Sequence, residues 1–574
     1  MSDAAGIAET PPAAGAMPWL AHYPAGVDWH EPVAPRPLWA MLDDAVARWP
    51  ERPCIDFLDR RWRYAEIGRL VDRAARGLRA LGIGPGRHVG LFLPNCPYYV
   101  ILYYAVLKAG GVVVNFSPLS AEPEIRQQVE DSETGLMVTL DLAALYGRLA
   151  PLLGRSRLER IVVCPLGAAL PPAKRVLLQL AGRGRLARIP RDGRHIPFRR
   201  LVANPGGLAP PAIDPAATIA VLQYTGGTTG VPKAAMLSHA ALHTNAVQCG
   251  RWFAAAATER VTMLGVLPLF HAFAMTAVMN WAVLWGAEMI LLPRFELPQL
   301  LRTIHRKRPM VMPAVPTILA AINNAPDIER WDLGSLRVCL SGGAPLPAEV
   351  RERFAARAGC RVLEGYGLSE TGPVLACNPF EGDRPGSVGL PYPGTSVEIV
   401  SLDAPERVLP PGETGEICAR GPQLMAGYWK QPAETARAMR GGRFHTGDIG
   451  RLDADGYLYV TDRLKEMVIV GGFKVYPRMV EEALHAHGGV AECAVLGVPD
   501  PYRGQAVKAV VVARPGAALD EGALRRHLAE RLSRFEQPTL YAFRDALPKT
   551  VVGKIDKKVL VAEHEAGAGP SEGR

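Results

Sequence analysis

From Leu38 onward, helical stretches such as Ala65 to Leu81 alternate with short apolar runs such as His88 to Leu93 and Gly111 to Asn115. A chain satisfies that alternation by laying parallel strands side by side and crossing between them with helices, so the expected fold class is α/β. A second run of the same kind covers Ile219 to about Asn378, with strands expected at Thr262 to Leu267, Met289 to Leu292 and Arg337 to Leu340. The turn-rich stretch Gly386 to Asp462 predicts a small antiparallel sheet or barrel. From Lys465 a fresh strand and helix periodicity predicts a small separate domain. Met1 to Ala34, rich in Ala, Pro and Gly, reads as a loosely ordered arm. Several lobes are expected, because a single core stops growing well short of 574 residues.

Composition narrows the functional classes. Charged residues at 21% and hydrophobic ones at 48% describe an ordinary globular protein. A net charge of +9 suits anionic ligands or an anionic membrane surface without naming either. Nine scattered cysteines, an odd number with no CxxC pair, point to reduced thiols in a cytoplasm and away from structural zinc. The first twenty residues lack the basic and apolar regions of a signal peptide, and no apolar run reaches the roughly 18 residues of a membrane span. Between Lys174 and Arg200, nine Lys or Arg residues face a single acid, Asp192, with Leu and Ile interleaved. That segment reads as a solvated surface insertion or as a peripheral contact with an anionic membrane. Without interleaved aromatics or a known module, it does not read as a nucleic-acid site.

The densest local signal is YTGGTTGVPK, Tyr224 to Lys233, which offers many backbone N–H groups and several hydroxyls to a phosphate chain. An apolar strand is expected before it, at Ala217 to Tyr224, and Ser238 is a candidate N-cap after it. The loop is therefore expected between strand and helix, where α/β proteins hold phosphates. It is not a Walker A loop, since Val231 and Pro232 precede Lys233 and no GK[ST] ending occurs. An ordinary flexible turn is the competing reading from these residues alone.

Further motifs follow in order: PLFHAFA (268–274), SGGAPLP (341–347), EGYGLSETG (364–372), GYW (427–429), FHTGD (444–448), DRLKEMVIVGGFKVYP (462–477) and PKTVVGK (548–554). Together with the glycine-threonine loop they resemble the adenylate-forming superfamily, from about Pro18 to Val559. The likeness is greatest to bacterial long-chain fatty acid:CoA ligases. The resemblance implies a large N-terminal part of two α/β subdomains plus a small β-barrel, spanning 35–464. It also implies a small mobile C-terminal α+β domain, 465–574, that carries a catalytic lysine.

It implies roles residue by residue. Thr225, Gly226, Gly227, Thr228, Thr229 and Gly230 would wrap the β and γ phosphates of ATP, with Lys233 nearby. Glu370, with Thr225, would hold Mg²⁺, a hard cation that takes oxygen ligands. Ser369 would contact the α-phosphate. Tyr366 would offer its ring to adenine beside Gly367, with the backbone of Gly343 and Ala344 close to the base. Asp448 and Arg463 would reach the ribose. Lys554 would be the adenylation catalyst, and Lys465 the hinge about which the last domain turns to bring Gly471 and Gly472 against the pantetheine of CoA. His271 would stand at the junction of acyl pocket and thiol tunnel, with Met275, Ala314, Pro316 and Thr317, and the region of Trp281 and Trp285, around the acyl chain. Met275 departs from the bulkier aromatic of some long-chain members, which leaves the chain-length limit open.

The implied activity is ATP-dependent, AMP-forming ligation of a medium- or long-chain fatty acid to CoA. An aryl, dicarboxylic or other carboxylic acid, an acyl-AMP ligase loading a carrier protein, and a non-catalytic membrane-binding relic are the alternatives. Location is expected to be cytoplasmic, with peripheral membrane residence open, as is a homodimer.

Overall fold

The computed structural model describes residues 17–181, 184–225, 232–254, 260–471, 473–500, 502–550 and 553–567. Two sheets form the large part. The first has seven strands in the order His195–Pro197, Arg160–Cys164, Leu136–Leu140, His88–Leu91, Val112–Asn115, Ile219–Thr225 and Lys233–Ser238. All neighbours are parallel except the last pair, which is antiparallel with Thr225 opposite Lys233. The second has nine strands with a parallel centre, Arg361–Gly367, Val338–Gly342, Val311–Ala314, Thr262–Gly265, Glu288–Leu291 and Pro53–Phe57. Antiparallel strands close both of its ends.

The helix Pro97–Lys108, PYYVILYYAVLK, joins the two sheets and is buried at every residue, because its sequence is apolar or aromatic all round. Fully burying one such side chain contributes roughly 1.5–3 kcal/mol, a gain that unpaired tyrosine hydroxyls would cancel. They are paired here: Tyr99 donates to Asn115 Oδ1 and to the Leu269 carbonyl, both at 2.8 Å, and Tyr104 donates to Asn280 Oδ1 at 2.9 Å. The helix Tyr64–Ala80 shows the commoner pattern, burying Ile67, Val71, Ala74, Ala75 and Leu78 at helical spacing.

The expected small barrel takes the form of a four-stranded antiparallel sheet, Ser396–Val400, Gly415–Arg420, Phe444–Leu452 and Leu458–Arg463, over its own small core. Beyond Lys465 a further sheet of Phe473–Val475, Val468–Val470, Gly504–Ala513, Val490–Asp500 and Leu540–Phe543 is covered by helices. Its two core clusters contain only residues from Val468 onward.

One expectation is corrected. The glycine-threonine segment joins two antiparallel strands rather than a strand and a helix. The helix His239–Trp252 starts one strand further on, about 20 Å away, where Ser238 Oγ accepts from Ala241 N at 3.1 Å. No helix dipole therefore stands directly behind the loop. Of the expected arm, residues 1–16 lie outside the described residues, while the part from residue 17 to residue 34 is held against the large part. Trp19 is 3% exposed, Tyr23 donates to the Pro391 carbonyl, and Trp29 Nε1 donates to the Thr395 carbonyl at 3.0 Å.

Candidate active site

The strand ends and turns of three sheets meet at one place. Strand Arg361–Gly367 ends on Tyr366 and Gly367, and a single 3₁₀ turn, Ser369–Thr371, follows. That turn buries Glu370, whose Oε1 accepts from the Tyr428 hydroxyl at 2.9 Å. Burial raises the Glu370 carboxyl above its ordinary value, which favours a cationic partner for its charged form. Across from it, Asp448 is 4% exposed and in register with Arg463 on the next strand. Its Oδ2 accepts from the Tyr366 hydroxyl at 2.7 Å, and its Oδ1 lies 3.2 Å from Arg463 Nε. Burial pushes the Asp448 carboxyl up, against the pull of the guanidinium.

The turn that presents Asp448 is fixed from behind. Glu416 accepts from Gly447 N at 3.1 Å through Oε1 and lies 2.8 Å from His445 Nδ1 through Oε2, while Asp448 N donates to Thr446 Oγ1 at 3.0 Å. Glu416, Cys418 and His445 are all buried with their ligating atoms within 4.8 Å of one another. Arg440 adds a cation 3.2 Å from Glu416, and these contacts complete the group as a support for the turn.

Lys554 arrives from the other side. Lys549 pairs antiparallel with Ile555, Thr550 N donates to the Lys554 carbonyl at 2.7 Å and Lys554 N donates to Thr550 Oγ1 at 3.2 Å. Gly553 rests on the large part: a methyl group there would stand 3.0 Å from Thr317 Oγ1 and 3.5 Å from Val315. A methyl at Gly343, where φ is +82°, would stand 3.2 Å from Lys554 Cε and 3.6 Å from Nζ. The positive φ at 343 is what calls for glycine there. Burial, then the nearby Arg463 charge, pulls the Lys554 ammonium down to about 8, with Asp448 opposing. His271 is down at about 4 through burial, and the Lys554 charge adds to the effect. The imidazole is therefore neutral near pH 7, and its Nδ1 accepts from Phe273 N at 3.4 Å.

Lys554, Gly343, Tyr366, Asp448, Arg463, His271 and Thr317 are thus brought together, with Ala344, Gly367 and Ser369 half-buried on the adjoining turns. Met275 is fully buried at the start of a π-helical turn, Met275–Asn280, and Asn115 Nδ2 approaches its sulfur at 3.5 Å. Ala314 ends its strand and Pro316 opens the helix Pro316–Asn323. Trp281 stacks on Phe253 at 5.0 Å and contacts Trp285, within the core. Thr225 donates to the Lys233 carbonyl at 3.3 Å, and Lys233 pairs with Glu434 while lying 5.3 Å from the Tyr428 ring centre. Lys465 lies on an exposed turn, and Gly471, φ +56°, tips an exposed hairpin where an added methyl would meet nothing within 4 Å. Gly226, Gly227, Thr228, Thr229, Gly230 and Gly472 lie outside the described residues.

Several participants carry no label in the motifs. Tyr428 sits inside the GYW motif and Glu416 inside the turn-rich stretch Gly386 to Asp462, yet only the fold shows that one meets Glu370 and the other holds the Asp448 turn. Glu434 has no sequence signal. Lys557, which resembles a solvated lysine in sequence, bridges Glu466 at 3.0 Å and Glu481 at 2.8 Å, and their charges carry its ammonium up although burial opposes them.

A parallel two-sheet body, a paired Asp448 and Arg463, the buried Glu370 carboxylate and a lysine held from a C-terminal unit go with an AMP-binding enzyme. The chain belongs to that family: its sequence model matches residues 42–429, and the AMP-binding enzyme C-terminal domain matches 479–554. A long-chain-fatty-acid–CoA ligase of Bacillus subtilis is 39% identical over 559 residues, 95% of this chain and 98% of the relative. A feruloyl-CoA synthase of Amycolatopsis is 36% identical over 499 residues, 86% and 92% of the two chains. Among solved structures, ATP-bound MatB from Rhodopseudomonas palustris superposes with a TM-score of 0.80 at 30% identity, covering 92% of this chain and 99% of that one.

Proposed function

We propose that this protein is an ATP-dependent, AMP-forming ligase that activates a medium- or long-chain fatty acid as acyl-AMP and passes the acyl group to CoA. The observation that carries the reading is the position of Lys554 beside Gly343 and within the field of Asp448 and Arg463. In the first half reaction a carboxylate oxygen attacks the α-phosphorus and the bond to the β-phosphate breaks, releasing pyrophosphate. In the second, the CoA thiol attacks the acyl carbonyl and AMP leaves. Two anions must meet in the first step, and an ammonium between them opposes their repulsion. At about 4 Å and an effective dielectric near 20 one such contact is worth roughly 4 kcal/mol before desolvation, on the order of a thousandfold in rate.

The other roles follow from position. Asp448 and Arg463 take the ribose, exchanging the contacts they now make with Tyr366 and with each other. Lys233 and the loop 225–230 take the phosphates. Glu370 and Thr225 fit a hard divalent cation, since both offer oxygen and the buried carboxylate gains from a counter-charge; bound Mg²⁺ would supply charge neutralisation on the phosphates. Neutral His271, hydrogen-bonded as a helix cap, suits a gate at the acyl carbonyl rather than a general base. The unit beyond Lys465 would rotate after pyrophosphate departs, removing Lys554 and presenting Gly471 and Gly472 to pantetheine. A cytoplasmic location goes with this chemistry.

The feruloyl-CoA synthase relative favours one competing substrate, an aryl acid. A panel of saturated acids of increasing length and of cinnamic and benzoic acids, scored by pyrophosphate release and thioester mass, separates them. Highest kcat/KM on a chain of medium or greater length is expected; preference for an aromatic acid would overturn the fatty-acid assignment while leaving the ligase chemistry intact.

A further inference from the structure

The helix Pro172–Ala181 turns its apolar side outward. Lys174, on the inner side, donates to the Leu58 carbonyl at 3.0 Å and to Asp59 at 2.6 Å, and Leu178, one turn on, packs towards Gly167. That leaves Val176, Leu177 and Leu180 at 53%, 64% and 71% exposure on a contiguous outer face. Such a cluster differs from the singly scattered exposed apolar residues of an ordinary surface. Arg175 on the same helix is exposed, as are Arg185, Arg188, Arg191, Arg194, Arg199 and Arg200 in the stretch that follows it. The only acid from residue 160 to residue 213, Asp192, is exposed but engaged by Arg194 N, His195 N and His195 Nδ1, all within 2.9 Å. The segment is no detached insertion either, since His195–Pro197 forms the edge strand of the first sheet. The patch is thus mounted rigidly on the body.

We propose that this face docks on an anionic lipid bilayer, with Val176, Leu177 and Leu180 entering the interface and the arginines lying against the headgroups. Exposed aliphatic side chains on a segment with exposed arginines match a surface whose interior is apolar and whose rim is negative. A second copy of the chain would set arginine against arginine across a two-fold contact. Nucleic acid would leave the aliphatic side chains without a partner, since aromatic residues are what stack on bases. No described helix is long and apolar enough to cross a membrane, so the contact is peripheral and reversible. It stands independently of which acid is activated.

The test is co-sedimentation of the full chain with vesicles of phosphatidylcholine alone and of phosphatidylcholine mixed with phosphatidylglycerol. Binding confined to the mixed vesicles is expected. Leu177→Glu with Leu180→Glu, and separately Arg185→Gln with Arg188→Gln and Arg191→Gln, should each lower it by about tenfold, and added salt should weaken the wild type. Thermal unfolding of both variants should match the wild type, which excludes misfolding as the cause. Absence of vesicle binding, equal binding to neutral vesicles, or indifference to the leucine substitutions would overturn the proposal. A dimer in sedimentation that Leu177→Glu with Leu180→Glu dissociates, without vesicle binding, would assign the face to a second copy. Tight binding of a duplex oligonucleotide that ignores those substitutions would assign it to nucleic acid.

Discussion

Lys554 is held under opposing demands. It must be charged to work between two anions, yet burial and Arg463 favour its neutral form and bring its ordinary high value down to about 8. The sign of the consequence is fixed: the ammonium is present below that value and is lost as pH rises through it. kcat/KM for ATP in the adenylation step, which reports the free enzyme, should therefore fall about tenfold per pH unit above roughly pH 8. Lys554→Arg should move that limb beyond the accessible range, whatever its effect on rate. A flat profile to pH 10 in the wild type would remove Lys554 from the role. At this scale sequence singles out Asp448, Arg463 and Lys554, because each stands in a short motif with fixed spacing, and the structure brings the three close together. It said nothing of Tyr428 against Glu370, 58 residues away, since neither side chain announces a partner that only folding supplies.

Elements show where local pattern misleads. KAAMLS, Lys233 to Ser238, is short and apolar, and its antiparallel pairing with Ile219–Thr225 is a tertiary fact that places a hairpin where a strand-to-helix turn is expected. The arm shows the reverse: Ala and Pro dominate its composition, but Trp19, Tyr23 and Trp29 decide the position of its described part. The hairpin Val468–Val470 and Phe473–Val475 exposes an apolar side chain on each side, Ile469 at 48% opposite Lys474 and Phe473 at 58% opposite Val470, the latter ring stacked on Phe535 at 4.8 Å. On the proposed rotation this hairpin approaches the acyl-adenylate and CoA. Hydrogen exchange of the amides in 468–475 should slow when CoA and a non-hydrolysable acyl-adenylate are added together, and change little with ATP alone. Equal protection by ATP alone would place the hairpin outside the thiol step.

On the whole-molecule scale, Lys554 is held against the large part, the placement that the proposed adenylation step needs. Ion pairs tie the last unit to the body: Lys474 Nζ lies 3.7 Å from Asp403, and Arg514 Nη2 lies 2.7 Å from both oxygens of Glu349, on the helix Ala348–Ala358. With its two side chains 33% and 51% exposed, the Arg514 pair is worth roughly 0.2–1 kcal/mol. Arg514→Ala should thus slow adenylation by about fivefold at most and leave thioester formation from supplied acyl-adenylate unchanged, because the pair belongs to one arrangement only. An equal effect on both steps would make it a general stabilising contact. Lobe number and the parallel sheets were legible from periodicity, whereas the meeting of three sheets and a C-terminal segment on one site depends on docking that no local window contains.

The most direct measurement uses Lys554→Ala in the two half reactions taken separately, following ATP–pyrophosphate exchange with the acid and thioester formation from purified acyl-adenylate and CoA. The account predicts a loss of about a thousandfold in exchange, from the roughly 4 kcal/mol the ammonium supplies, with thioester formation close to the wild type. Equal loss in both half reactions, or exchange that survives the substitution, would contradict it.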